Sequence, residues 1–417
     1  MNRGSKLRFK GPGAWGVGRG PEKRRLHSSL AQAPRPKPHA HATAALLMLT
    51  GALTFAATAG HADVSKSCAS GLDLATLGPK SIIGQGPKGE KAASVDQLQL
   101  TPEEVAKVKA GKFKVGITMQ TVNLDWSQLQ VQGITDTLKN YGVEVIGVTS
   151  AEYQVDKQIA DIENTIQRKP HGIISIPVDG IATAATYKKV SAAGIKLVFM
   201  DNVPAGLKHP EQYASMVSAD SQGNGWIAAQ VLASCIKQGG KLGIVHFGVD
   251  YFSTNQRTKA VKDWLAKNRP DIKIKQVDFT DPSKVSQIAG DFLTANPDVQ
   301  GVFAVWDQPA LDTISSMRAQ GVNVPITTVD LGLQSAIEIA KGGPLKATGS
   351  QRPYDQGVAE ALAMVNALIG KTPPAWVGVQ SLPVVQANVL ESYKTVFKKE
   401  PPKELVAACN KAKPACK

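Results

Sequence analysis

From Lys112 onward the chain alternates short β-branched or apolar runs with longer amphipathic stretches, and this alternation constrains the fold more than any other feature. The short runs are FKVGITM, VEVIGV, GIISIP, IKLVFM, ASMVSA, KLGIVHF, IKIKQVDF, QGVFAVW, VPITTVD and LKATGS. Between most of them, apolar residues recur at i, i+3 and i+4. VDKQIADIENTI, from Val155 to Ile166, is the clearest case. Tyr141-Gly142 and Ala193-Gly194 close helices before strands, because glycine accepts the left-handed cap conformation. Alternating strands and helices imply parallel sheets covered on both faces. About ten strands are too many for one compact sheet, so the expected fold class is α/β with two doubly wound parallel-sheet lobes.

The charge balance needs care. A net charge of +14 suggests a nucleic-acid partner, but ten of the 48 basic residues lie in residues 1–40, opposed only by Glu22. Residues 41–62 carry neither sign, and the rest of the chain holds 38 basic and 33 acidic residues. The basicity belongs to the leader, so no nucleic acid is expected as a partner. The leader has the form of an export signal, with a basic stretch, the apolar run Ala42–Gly60 and a small-residue site, GHA, ending at Ala62. Cleavage near Ala62 and a periplasmic location are expected. Arg24-Arg25 lies too far upstream of the run to read as a twin-arginine signal.

Cys68, Cys235, Cys409 and Cys416 suit disulfides in an oxidising compartment, and four cysteines allow three pairings. The nearness of Cys409 and Cys416 favours a local loop, which leaves Cys68 for Cys235. Cys235 also reads as a simple buried thiol, since it lies in the apolar stretch VLASCI. No CxxC or His pair accompanies the cysteines, so no metal is expected, and no cofactor. Residues 63–100 are rich in Gly, Lys, Ser and Pro and read as a loosely packed arm. Thr101-Pro102-Glu103-Glu104 then marks a helix start with a capping box.

Ligands of open parallel sheets bind beyond the carboxyl ends of the strands. Those ends here hold Asp201-Asn202, Trp306-Asp307, Asp330, Gln351 and Asp278-Phe279, while the first strand runs into a loop with Gln120, Asn123, Asp125 and Trp126. Planar Asp, Gln and Arg groups can bridge adjacent hydroxyls, and flat aromatic rings can pack on apolar C–H faces. Asp201, Asp330, Arg257, Gln351, Trp126, Phe279 and Trp306 supply both functions. An Asp at a strand end also serves as a helix cap, and Asp307, just before a helix and a Pro, reads as a cap. His246, inside an apolar strand, reads as a satisfied core residue.

The stretches VQGITDTLKNYGVEV, DKQIADIENTI, GIISIPVD, GIKLVFMDN, VSAD, NPDVQGVFAVWD, TTVDLG and GSQRPYDQGVAEA follow one another over most of the chain. From about Lys112 to Tyr393 their order and spacing resemble the ribose-type periplasmic binding proteins, the sugar-binding components of ABC importers. The resemblance implies two lobes joined by a three-stranded hinge and closing over a ligand. Outside the stretch that carries the resemblance, the chain is expected to form a signal peptide and leader over 1–62, an arm with a short helix over 63–111, and a tail over 396–417. Lobe 1 would take 112–219 plus 352–378, and lobe 2 would take 220–351 plus 379–395. It points to Trp126 and Phe279 as aromatic walls, with Asp201, Arg257, Asp330 and Gln351 as hydroxyl partners. Two positions depart from the ribose pattern. Asn202 stands where ribose binders carry Arg, and Trp306 where they carry Asn; both join the expected ligand-binding set, which suits a linear polyol or a sugar other than ribose. The implied partners are a small carbohydrate or polyol and a membrane permease, and a monomer is expected. A periplasmic sensor presenting its ligand to a chemoreceptor or signalling kinase would use the same cleft. A transcription regulator would need an N-terminal helix-turn-helix where the apolar run lies. An enzyme is not expected, because the chain lacks a Walker-type loop, a GxSxG elbow, an HExxH and a GxGxxG after the first strand.

Overall fold

The computed structural model describes Cys68 and residues 72–416; the leader, its apolar run and the cleavage site near Ala62 lie outside the described residues. The capping box reads through to structure. Glu104 N donates to Thr101 Oγ1 at 3.3 Å and Thr101 N donates to Glu104 Oε2 at 3.0 Å, opening α1 (Pro102–Ala110). Then follow β1 (Lys114–Met119), α2 (Asp125–Asn140), β2 (Glu144–Ser150), α3 (Val155–Gln167), β3 (Gly172–Ser175), α4 (Ala184–Ala192), β4 (Lys196–Met200) and β5 (Ser215–Ala219). After a first crossover come α5 (Ser221–Cys235), β6 (Lys241–Phe247), α6 (Phe252–Asn268), β7 (Lys273–Phe279), α7 (Val285–Ala295) and β8 (Val299–Ala304). They are followed by α8 (Asp307–Gln320), β9 (Ile326–Val329), α9 (Leu333–Ala340) and β10 (Leu345–Ser350). The chain crosses again for α10 (Pro353–Leu368) and β11 (Trp376–Val379). It crosses a third time for β12 (Leu382–Val385), α11 (Val389–Phe397) and α12 (Lys403–Lys411).

The strands form two six-stranded sheets, ordered β11-β5-β4-β3-β1-β2 and β12-β10-β9-β8-β6-β7. All neighbours are parallel except β10 and β12. β3, β5, β9 and β10 are buried along their whole length, as strands covered on both faces must be. The edge strand β7 instead exposes Lys273 and Lys275, charges that discourage pairing with another chain.

Three features differ from the sequence reading. β11 and β12 escape it because WVGV and LPVV are short and interrupted by Gly378 and Pro383. Asp125 and Trp126 stand in the first turn of α2, not in a loop. The arm, where described, is not loosely packed. Leu77, Ala93 and Leu98 are buried, Ala93 bridges Val377 of β11, and Ile83 N and Gly84 N donate to the Asp220 carboxylate at 2.9 and 3.0 Å. These anchors are too far apart in sequence to produce a periodic signal. Both disulfides form, Cys68–Cys235 and Cys409–Cys416, so Cys235 is not a free thiol. The first ties the arm to α5. The second closes the end of α12, which rests against α9. No helix among the described residues is long and apolar enough to cross a membrane.

Candidate functional site

The carboxyl ends of both sheets face each other across a cavity. The volume open to the centres of water-sized spheres is about 60 Å³. That is room for roughly four to six waters. Lobe 1 contributes Gln120, Leu124, Trp126, Tyr153, Ile176, Val178 and Asp201. Lobe 2 contributes Phe247, Tyr251, Thr254, Arg257, Trp306, Asp330 and Gln351. The lobes also touch directly. Ser253 Oγ donates to the Asp201 carbonyl at 2.9 Å, and Leu333 N donates to Asp125 Oδ2 at 2.7 Å.

Each polar side chain is held from its own element. Asp201 follows β4 with φ 52° and Asp330 follows β9 with φ 73°, so both carboxylates sit on left-handed backbone at strand ends. Tyr153 also has positive φ, at 60°. Such conformations cost free energy and gather at functional sites. Gln356 Nε2 of α10 donates to Asp201 Oδ1 at 3.3 Å, and Gln351 Nε2 donates to Asp330 Oδ1 at 2.7 Å. Arg257 Nη1 donates to the Val305 carbonyl at 3.2 Å and lies 3.8 Å from Asp330 Oδ2. The position of Arg257 depends on a close helix contact. A Cβ at Gly225 of α5 would lie 2.3 Å from the Arg257 carbonyl oxygen, so only glycine lets α5 and α6 approach this closely.

Burial dominates the electrostatics. It pushes the Asp201 carboxyl up to about 7, with Asp330 adding to the rise and Arg257 opposing it. It also raises Asp330, again against Arg257. Glu360, fully buried on α10, is held well above the usual carboxylate range by burial and by Asp201. The Tyr251 hydroxyl is raised by burial and by Asp201.

Six of the eight expected residues meet at this cavity: Trp126, Asp201, Arg257, Trp306, Asp330 and Gln351. Phe279 does not. It is 1% exposed and lies behind the wall, its ring 5.4 Å from Phe247 and 5.3 Å from Trp306. Phe247 and Phe279 are register partners on β6 and β7. β7 is the sheet edge, so the inner strand β6 supplies the wall. Asn202 does not line the cavity either. Its side chain borders a separate groove with Gly180, Val203 and Phe252. Asp307 is a cap, but not of its own helix. Trp306 holds the N-cap position of α8, while Asp307 Oδ2 accepts from Gly332 N at 2.8 Å and Ser335 Oγ at 3.2 Å and so caps α9. His246 is satisfied by Thr258 Oγ1 at 2.8 Å. Tyr153, Phe247 and Tyr251 were not among the expected residues. Tyr153 and Tyr251 sit immediately ahead of helices at strand-end loops, which is the signal that points to them.

Five buried polar atoms on lining residues find no hydrogen-bond partner within the protein: Gln120 Oε1, Trp126 Nε1, Tyr251 Oη, Arg257 Nε and Gln351 Oε1. Unpaired buried polar groups are costly, so a set of them around one cavity can be satisfied by a molecule that both donates and accepts hydrogen bonds there. Among the described residues no cluster of three His, Cys, Asp or Glu side chains is placed to hold a metal.

The model of the family described as "periplasmic binding protein domain" matches residues 115–372. The chain belongs to that family. The ribose import binding protein RbsB of Bacillus subtilis is 25% identical over 260 residues, 62% of this chain and 83% of that protein. Two solved structures share the fold of this periplasmic binding protein. A solute binding protein of an ABC transporter from Mycobacterium smegmatis, with bound glycerol, has a TM-score of 0.62 at 22% identity, covering 70% of this chain and 99% of its own. Another from Agrobacterium vitis, bound with α-D-tagatopyranose, has a TM-score of 0.64 at 20% identity, covering 70% and 100%. The sheet orders, the three crossovers and the cavity between the sheets agree with the ribose-type resemblance read from the sequence.

Proposed function

We propose that this chain is an exported solute-binding protein that captures a small sugar or polyol between its lobes and delivers it to an ABC importer. The observation that carries the reading is the ring of unpartnered donors and acceptors around an interlobe cavity walled by Trp126, Trp306, Phe247, Tyr153 and Tyr251. Hydroxyls both donate and accept, so a polyol can satisfy Trp126 Nε1 and Arg257 Nε as well as Gln120 Oε1 and Gln351 Oε1. Its C–H faces pack on the rings. The cavity's size suits a monosaccharide or a smaller polyol. Relatives that bind glycerol, tagatose and ribose support the ligand class.

On this reading the leader is removed near Ala62, the mature chain works in the periplasm as a monomer, and the protein performs no chemistry on its ligand. Trp126, Asp201, Arg257, Trp306, Asp330 and Gln351 make the contacts, joined by Tyr153, Phe247 and Tyr251. A thermal-shift screen of the mature protein against pentoses, hexoses and polyols tests the reading. A ligand bound at micromolar strength and supplied at millimolar concentration stabilises by roughly 4 kcal/mol. A panel that leaves the melting temperature unchanged contradicts it.

A further inference from the structure

The acidic and basic side chains lining the cavity, among the described residues, are two carboxyls and one guanidinium. Asp201 and Asp330 line it from opposite lobes, and Arg257 is the only cation among the described residues that line it. Arg257 lies against Asp330 and the Val305 carbonyl and also acts on Asp201, whose carboxyl takes hydrogen bonds from the Gln356 amide and the Ala219 N–H rather than from the guanidinium, among the described residues. Asp330 in turn raises the half-buried Asp307, and Glu360, fully buried on α10, is a further acid that feels Asp201.

Two further features favour a cation. Five aromatic rings surround the cavity, and aromatic faces attract positive charge most strongly where water is excluded. Gln120 Oε1 and Gln351 Oε1 are unpartnered acceptors on lining residues, Gln351 bonded through its Nε2 to Asp330, and an ammonium offers three donors and no acceptor.

We propose that the ligand is a hydroxylated molecule bearing one amine, an amino sugar or amino-polyol whose ammonium neutralises Asp201. This deepens the sugar-or-polyol reading and rests on it. The hydroxyls meet the donors Trp126 Nε1 and Arg257 Nε, and the ammonium meets the acidic side of the cavity.

Calorimetric titration with matched pairs tests the proposal: glucosamine against glucose, glucamine against sorbitol, and serinol against glycerol. In at least one pair the amine binds roughly tenfold tighter or more at about pH 7. Asp201→Asn weakens both members and brings their ratio near unity. Asp330→Asn serves as the second variant should Asp201→Asn fold poorly, and it lowers the same ratio. If the hydroxyl members bind and no amine binds tighter than its partner, the amine inference is overturned and the sugar-or-polyol reading stands. If the amine is preferred equally by wild type and both variants, the assignment to these carboxylates is overturned. If no member of any pair binds, both readings fall.

Discussion

At the scale of single residues, the site is a set of carboxylates whose ionisation opposes burial. Asp201 ionises near its ordinary value of 3.8 in the unfolded chain but is pushed up to about 7 by burial in the folded protein. The stability it contributes is therefore complete below the unfolded value and is lost as pH rises toward the folded one. Asp201→Asn removes this dependence. Between about pH 5 and pH 8 the variant should gain stability relative to wild type by on the order of 2 kcal/mol, read from denaturant midpoints. A difference that does not change with pH contradicts the assignment. The two phenylalanines offer a contrast. Phe247→Ala should weaken ligand binding, whereas Phe279→Leu should cost about 1 kcal/mol of stability and change affinity far less. Equal losses of affinity in a titration would return Phe279 to the site. The carboxylates and Trp306 were legible in the sequence because strand ends announce themselves. The choice of Phe247 over Phe279 was not, because it depends on which strand is inner. Strand order leaves no trace in local periodicity.

Elements position those residues. α6 carries Arg257 and presses on α5 at Gly225, where a methyl group would meet the Arg257 carbonyl oxygen at 2.3 Å. Gly225→Ala should force the helices apart, cost about 1–3 kcal/mol of stability and weaken ligand binding, since Arg257 moves with its helix. Full stability measured by chemical denaturation would contradict this. α9 is capped by Asp307 from its own lobe, so Asp307→Ala should cost about 1 kcal/mol of stability. Its own helix-start position suggested a cap, but the capped helix lies 25 residues further on and only the fold brings them together. The helices and ten of the strands were readable because burial on both sheet faces imposes a strong apolar pattern. α12 was not, because its buried face is reduced to Leu405, Ala408 and Cys409 among lysines and prolines.

For the whole molecule, the two-lobe division was legible from the number of βα units, while the role of the arm was not. The arm bonds to lobe 1 at Ala93 and Leu98, to the first crossover at Asp220, and to lobe 2 through Gln230 and the Cys68–Cys235 disulfide. Replacing Cys68 and Cys235 together by Ser should lower stability by about 3 kcal/mol, since a long loop is released in the unfolded chain. Unchanged thermal unfolding of the double variant would contradict that. On the proposed reading, closure would rest on the direct contacts between lobes and on a ligand that favours the closed state by contacts available only there. Asp125→Ala removes the bond to Leu333 N and should shift small-angle scattering of the ligand-free protein toward a more extended particle. The central claim is that one small hydroxylated ligand is held by residues of both lobes at once. Isothermal titration of wild type, Asp201→Ala and Arg257→Ala with the tightest ligand from the screen tests it most directly, because the two variants remove one partner from each lobe. Each should lose roughly 2 kcal/mol or more of binding free energy while remaining folded. Variants that fold and bind that ligand as tightly as wild type would contradict the claim.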